Sequence, residues 1–349
     1  MGQDLRKETM KAVIVPSPGI LEVSEVPMAP KPGKGEVMIK MKAGGICGSD
    51  VHVYHGRSAF ATYPRILGHE IAGEVVESGE GADTLAAGAH VVIDPVTSCG
   101  ECYACRIGRH NVCRSVKVLA AHVDGGFRQY MTVSVKNAHV ISKDIPWDLA
   151  CTAEPYSIAA EATDRGSLTA DDRALICGAG PIGIVILQAA KMIGAKVMVL
   201  DNVGARLEKA KQIGADEIVD SAKEDVTRRV MDWTGGEGAS VIFEATGNIG
   251  IMESCVSAWP SQAGRVVVLG FPNAPMSVVP LDIMRRELDI RGSRLNRDKF
   301  PEVVAWLEKG LVHPAQMITH RFPFEKAREA MDQIAKDPVN TMKVILEFE

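Results

Sequence analysis

From about residue 173 the chain alternates apolar, strand-length runs with segments of helical length, and this alternation restricts the fold more than any other feature. Residues 174–177, 196–200, 217–219, 241–245 and 265–269 read as five strands, and 181–193, 204–213 and 222–233 read as helices between them. Such an order implies a doubly wound α/β unit with a parallel sheet. The first strand runs directly into Gly178-Ala179-Gly180-Pro181-Ile182-Gly183, which opens the first helix. Glycines there permit a tight turn, close approach of backbone to a pyrophosphate and close helix packing, while the helix start offers free N–H groups to phosphate oxygens.

Asp201 ends the next strand, 23 residues after Gly178, where an acid can accept hydrogen bonds from both ribose hydroxyls. Taken alone, the same residues describe a glycine-rich turn and an ordinary surface Asp; the strand, turn and helix context favours a dinucleotide. A carboxylate at this point repels a 2′-phosphate, so NAD is expected over NADP. Asn202 adjoins the acid, and Arg206 has two uses open to it, stacking on adenine or pairing with a phosphate.

Residues 11–148 instead mix short apolar runs with Gly and Pro, a β-rich pattern. Beyond 292 the regularity ends; 300–309 and 324–334 read as helices before a last strand at 343–348, a tail expected to return to the first domain. A length of 349 residues exceeds what one hydrophobic core usually serves, so two domains with a ligand cleft between them are expected. The net charge of −5 argues against nucleic acid as a partner. No run approaches the ~20 apolar residues of a membrane span, and no signal-like apolar segment follows Met1, so a soluble cytoplasmic protein is expected. Residues 1–9 are polar and read as a disordered extension, with Met10 an alternative start.

Four of the eight cysteines, Cys99, Cys102, Cys105 and Cys113, fall in one short segment. Four thiolates on one loop can close around a tetrahedral ion and leave no open position, which makes a structural zinc the expected occupant. An iron–sulfur cluster is the competing reading. A second set is dispersed: Cys47 in Cys47-Gly48-Ser49-Asp50-Val51-His52, then Gly68-His69-Glu70, then Glu154. Thiolate, imidazole and carboxylate can meet at one open-coordinate zinc, although singly Cys47 suits a buried apolar position and His69 a satisfied core histidine.

Together these motifs resemble the zinc-containing medium-chain dehydrogenases, a family that includes sorbitol and threonine dehydrogenases, over about residues 10–349. The resemblance implies a GroES-like β-rich catalytic domain (1–155 and 295–349) and a Rossmann NAD-binding domain (156–294). It also implies two zinc ions per subunit, one catalytic and one structural, and a homodimer or homotetramer. Cys47, His69 and Glu154 would hold or flank the catalytic zinc, with Glu70 as an exchangeable ligand. Ser49 would accept the substrate proton and pass it through the ribose hydroxyls toward His52, and Asp50 would orient the His69 ring. Thr246, Leu269 and Gly270, at strand carboxyl ends, would adjoin the nicotinamide. One departure stands out: the family's acidic and basic pair before the four-cysteine segment is replaced by Gly88-Ala89-His90-Val91, read as a local structural change.

Within the family, Tyr63-Pro64-Arg65-Ile66-Leu67, Asp94-Pro95-Val96, His122-Val123-Asp124-Gly125-Gly126-Phe127 and Ser293-Arg294-Leu295-Asn296 are similar to bacterial sugar-acid dehydrogenases of the L-galactonate 5-dehydrogenase kind. A carboxylate substrate needs a cationic partner, for which Arg294 is the first candidate, with Arg57 and Arg65 behind it. Polyols and threonine are the alternative substrates. A zinc-free NAD(P)H-dependent reductase and a non-catalytic dinucleotide-binding protein are the alternatives of other classes.

Overall fold

The computed structural model describes residues 7–349. Residues up to Glu154, with Phe300–Gly310 and Met317–Glu349, form one unit; Pro155–Lys299 and Leu311–Gln316 form the other.

In the first unit, the strand Glu36–Ile46 lies at the centre of a seven-stranded sheet. Glu70–Ser78 and Tyr130–Ser134 pair antiparallel with it, and Lys343–Glu347 pairs antiparallel with its last residues. Alternation explains its place. Val37, Ile39 and Met41 enter the main apolar cluster, whereas Met38 joins a smaller one with Met10, Ala29 and Tyr130. The Lys343–Glu347 strand therefore brings the end of the chain beside Ile46, one residue before Cys47. A three-stranded sheet joins Ile20–Pro27, Thr9–Ser17 and Arg65–Ile66. Thr9 already pairs with Pro27, and the Glu8 carbonyl accepts from the Met28 N–H at 2.9 Å. The expected extension over 1–9 is thus corrected at its end, because the facing strand is long enough to hold Thr9; residues 1–6 of it lie outside the described residues. His90 opens the strand His90–Ile93, and its ring packs 3.9 Å from that of Trp147.

The second unit carries six parallel strands in the order Glu217–Asp220, Lys196–Asp201, Arg173–Cys177, Ala239–Glu244, Pro260–Val268, Asp289–Gly292. This is the doubly wound sheet expected, and strand order reverses between Arg173–Cys177 and Ala239–Glu244, where such folds bind ligands. The helices Pro181–Ile193 and Gly204–Ile213 match the expected spans, each closed by a glycine in the left-handed conformation. The helix expected from 222 begins only at Val226, where Asp225 Oδ1 accepts from the Arg228 N–H at 3.0 Å. Before it, Asp220 and Glu224 bind backbone N–H groups and hold a turn instead. Elements not foreseen include the helices Ala153–Arg165, Ile249–Ser257 and Pro280–Met284 and the sixth strand. Among the described residues no helix is long and apolar enough to cross a membrane.

Candidate functional site

Cys47 caps the short helix Gly48–Tyr54, and the third residue of that helix, Asp50, does the positioning. Asp50 is fully buried; Oδ2 accepts from the Cys47 N–H at 3.0 Å and Oδ1 from the Gly68 N–H at 3.1 Å. Oδ1 also stands 3.7 Å from His69 Nδ1. One carboxylate therefore holds the helix carrying Cys47 and the segment carrying His69, and it turns the other ring nitrogen, Nε2, toward Ser49 Oγ at 3.4 Å. Ligand atoms of Cys47, His69 and Glu70 all lie within 4.8 Å of one another. That spacing suits a common metal at bond lengths of ~2.0–2.3 Å.

Charge follows the same geometry. Burial opposes protonation of His69, but the charges of Asp50 and Cys47 raise it well above the usual imidazole value. Glu154, in the first turn of the helix Ala153–Arg165, is buried and interacts electrostatically with His69 and Glu70. Burial lifts its carboxyl to about 7, with the Glu70 charge pushing the same way. Sequence reasoning missed Lys343. Its ammonium donates to Glu70 Oε1 at 2.6 Å, to Oε2 at 2.7 Å and to the Ile46 carbonyl at 3.3 Å, and both side chains are buried. Burial disfavours this charge, yet Glu70 first and Cys47 next keep it above the ordinary lysine value.

All eight cysteines are unpaired as disulfides. Cys99 and Cys113 sulfurs lie 3.4 Å apart and those of Cys102 and Cys105 3.5 Å, with all four within 4.8 Å of one another. Four thiolates around zinc would be about 3.8 Å apart, so the set is preformed for an ion. The Cys105 and Arg114 N–H groups bring Cys102 down to about 6.

In the second unit, Gly180 caps the helix and Pro181 takes its first position, followed by Ile182. A Cβ on Gly183 would sit 1.8 Å from the Gly178 carbonyl oxygen, so helix and turn meet where only glycine fits. Asp201 is buried; Oδ2 accepts from the Ala179 N–H at 2.7 Å and Oδ1 from the Val203 N–H at 2.9 Å. The acid expected to hold ribose thus also fixes the glycine-rich turn, and each oxygen retains a second lone pair. Asn202 is exposed beside it, and Arg206 lies in the next helix. Across the switch point, the Glu244 side chain accepts from the N–H groups of Thr246 at 2.8 Å and Gly247 at 3.0 Å. The Glu244 carbonyl accepts from Leu269 and Gly270.

Comparison with known proteins matches residues 33–143 to the alcohol dehydrogenase GroES-like domain and residues 181–309 to the zinc-binding dehydrogenase domain. The starvation-sensing protein RspB of Escherichia coli K12 is 40% identical over 97% of this chain and 99% of its own. A solved structure of rspB from E. coli CFT073, complexed with NADH, superposes with a TM-score of 0.93 at 39% identity, covering 98% of this chain and 100% of that one. The L-galactonate-5-dehydrogenase of E. coli K12 is 33% identical over 97% and 98% of the two chains. A zinc-binding dehydrogenase of Sinorhizobium meliloti bound to NADP is 30% identical, with a TM-score of 0.90 over 98% and 100%.

The chain belongs to the zinc-containing medium-chain dehydrogenase family. It is an oxidoreductase of a family that uses zinc and a nicotinamide cofactor, and both donor sets described above suit that metal. The cations expected to meet a substrate carboxylate differ in exposure. Arg294 is exposed on the second unit, and Arg57 is exposed after the Gly48–Tyr54 helix. Arg65 is buried and committed: it donates to Thr62 Oγ1 at 2.8 Å and Asp124 Oδ1 at 3.3 Å, which suits a structural anchor better than a substrate-binding cation. His52 follows Ser49 by three residues on the same helix and is exposed.

Proposed function

We propose that this dehydrogenase oxidises a secondary hydroxyl of a sugar acid with NAD, using one catalytic and one structural zinc per subunit. The observation that carries the reading is the meeting of Cys47, His69 and Glu70 ligand atoms beside Ser49, a donor set with a proton acceptor next to it. Bound zinc would acidify the substrate hydroxyl and the cofactor would take up hydride. Cys47 and His69 would hold the metal, with Glu154 holding or flanking it and Glu70 as an exchangeable ligand. Ser49 Oγ would receive the hydroxyl proton and relay it toward His52, which faces solvent one helical turn on.

The carboxylate of Asp201 favours NAD, because a 2′-phosphate would meet a buried negative charge. Thr246, Leu269 and Gly270 would border the nicotinamide, and Cys99, Cys102, Cys105 and Cys113 would hold the second zinc. Likeness to the L-galactonate enzyme supports an aldonate, and Arg294 is the candidate partner for its carboxylate. Eight unpaired thiols suit a reducing compartment such as the cytoplasm. A homodimer or homotetramer is the assembly we expect.

A panel of aldonates, alditols and threonine, offered with NAD or NADP before and after zinc removal, tests this. Hexonate oxidation with NAD that disappears and returns with zinc is the expected result. Polyol oxidation without aldonate turnover would replace the substrate assignment, and metal-independent turnover would remove the mechanism.

A further inference from the structure

Glu244 ends the strand Ala239–Glu244 and is fully buried. Its two carboxylate oxygens have different surroundings. Oε1 accepts from the Thr246 N–H at 2.8 Å, from the Thr246 hydroxyl and from the Gly247 N–H at 3.0 Å. Oε2 is buried with no hydrogen-bond partner. It lies against two glycines: a Cβ on Gly270 would sit 2.5 Å from Oε2 and 2.5 Å from the Gly247 nitrogen. The Glu244 carbonyl meanwhile accepts from the Leu269 N–H at 2.9 Å and the Gly270 N–H at 3.1 Å. One residue therefore anchors both loops, and its unpartnered oxygen lies where they meet.

Anchoring does not require a charge. The amide oxygen of a glutamine, a side chain of the same length, would accept from the same three donors. A buried carboxylate oxygen without a donor is costly, and among the described residues no lysine, arginine or histidine forms an ion pair with Glu244. The nicotinamide ring is a cation in NAD+ and neutral in NADH, and the loops of Thr246 and Gly270 are those that would border it. We propose that Glu244 selects the oxidation state of the cofactor, its carboxylate attracting the cationic ring of NAD+ and not the neutral ring of NADH. This rests on the cofactor reading above. Neither Gly247 nor Gly270 has a side chain to stand between the carboxylate and the ring, and in a dry interior the attraction is weakly screened. Hydride uptake removes the ring charge, so the same carboxylate loosens the hold on the reduced cofactor.

Fluorescence titration with NADH, and displacement of that NADH by other dinucleotides, measures affinity on the zinc-loaded protein without turnover. The competitors are NAD+ and benzamide adenine dinucleotide, an isostere whose neutral benzene ring replaces the pyridinium. Wild type should bind NAD+ about tenfold more tightly than the isostere. Glu244→Gln should abolish that preference by weakening NAD+ alone, with NADH and the isostere bound as in wild type. A purely structural role for Glu244 would weaken all three alike, and that outcome overturns the proposal. A wild type that binds NAD+ no better than the isostere also overturns it, and this comparison decides the matter if the variant does not fold. A wild type that binds neither NADH nor NAD+ overturns the cofactor reading itself, and so separates the two failures.

Discussion

Asp50 shows how much of the candidate centre depends on one side chain that would not itself touch metal or substrate. Burial opposes its ionisation, but the His69 charge and the N–H groups of Cys47 and Gly68 hold its carboxyl below the usual aspartate value. Asp50→Asn keeps the size and one acceptor oxygen but turns an amide donor toward a donor or toward His69. Zinc affinity should then fall about 10–100-fold, measured by competition with a chromophoric chelator; unchanged affinity would deny Asp50 its positioning role. The same assay has a pH dependence with a defined sign. A ligand must lose its proton before it binds metal. His69 is raised and Glu154 is lifted to about 7, so protons compete with zinc at neutral pH. Affinity should therefore climb as pH rises through about 7 and decline below it; a flat profile would count against both groups as ligands.

Among the elements, three neighbouring parallel strands are tied together by Asp172. It accepts from the Thr169 N–H at 2.8 Å, Thr169 Oγ1 at 3.1 Å and Ser240 Oγ at 2.7 Å, and pairs with Arg265. Burial raises its carboxyl, but the Ser240 and Thr169 hydrogen bonds and the Arg265 charge bring it below the ordinary value. A depressed acid stabilises the fold above its unfolded pKa, and that stability is lost as pH falls through the folded value. Asp172→Asn should thus cost about 1.5–3 kcal/mol near neutral pH and progressively less in acid, read from denaturant midpoints; an equal deficit at both ends would make the effect steric. Residues 174–177 and 196–200 were legible because each strand carries an unbroken run of four apolar residues, and 181–193 because Pro opens and Gly closes the helix. Asp289–Gly292 was not, since four residues, three of them exposed, carry too little pattern. Lys343 was illegible for another reason. A lysine opening an apolar strand reads as solvent-facing, and its partner lies 273 positions earlier, so only the sheet register brings them together. Cys47 and His69, 22 residues apart, likewise have no local periodicity to announce them; their reading came through family resemblance.

At the scale of the whole molecule, the second unit leaves an apolar region uncovered. Phe271 is 83% and Met284 70% exposed, and Val279, Leu281 and Ile290 are exposed beside them in sequence. All precede or belong to Asp289–Gly292, one of the two edge strands of the six, which pairs with Pro260–Val268 alone among the described strands. An open edge flanked by large apolar side chains invites pairing with another chain. A second copy presenting the same edge about a two-fold axis would extend the sheet and close the assembly without leaving further edges to polymerise. Size-exclusion chromatography with light scattering should therefore give a dimer, or a tetramer built from it. Leu281→Asp together with Ile290→Asp should yield monomer, because each copy would bring like charges to the same contact. NADH binding should survive, since the glycine-rich turn follows a strand three places inside the edge. A wild-type monomer at micromolar concentration would remove the oligomer expectation, and a variant that stays dimeric would move the interface to another face.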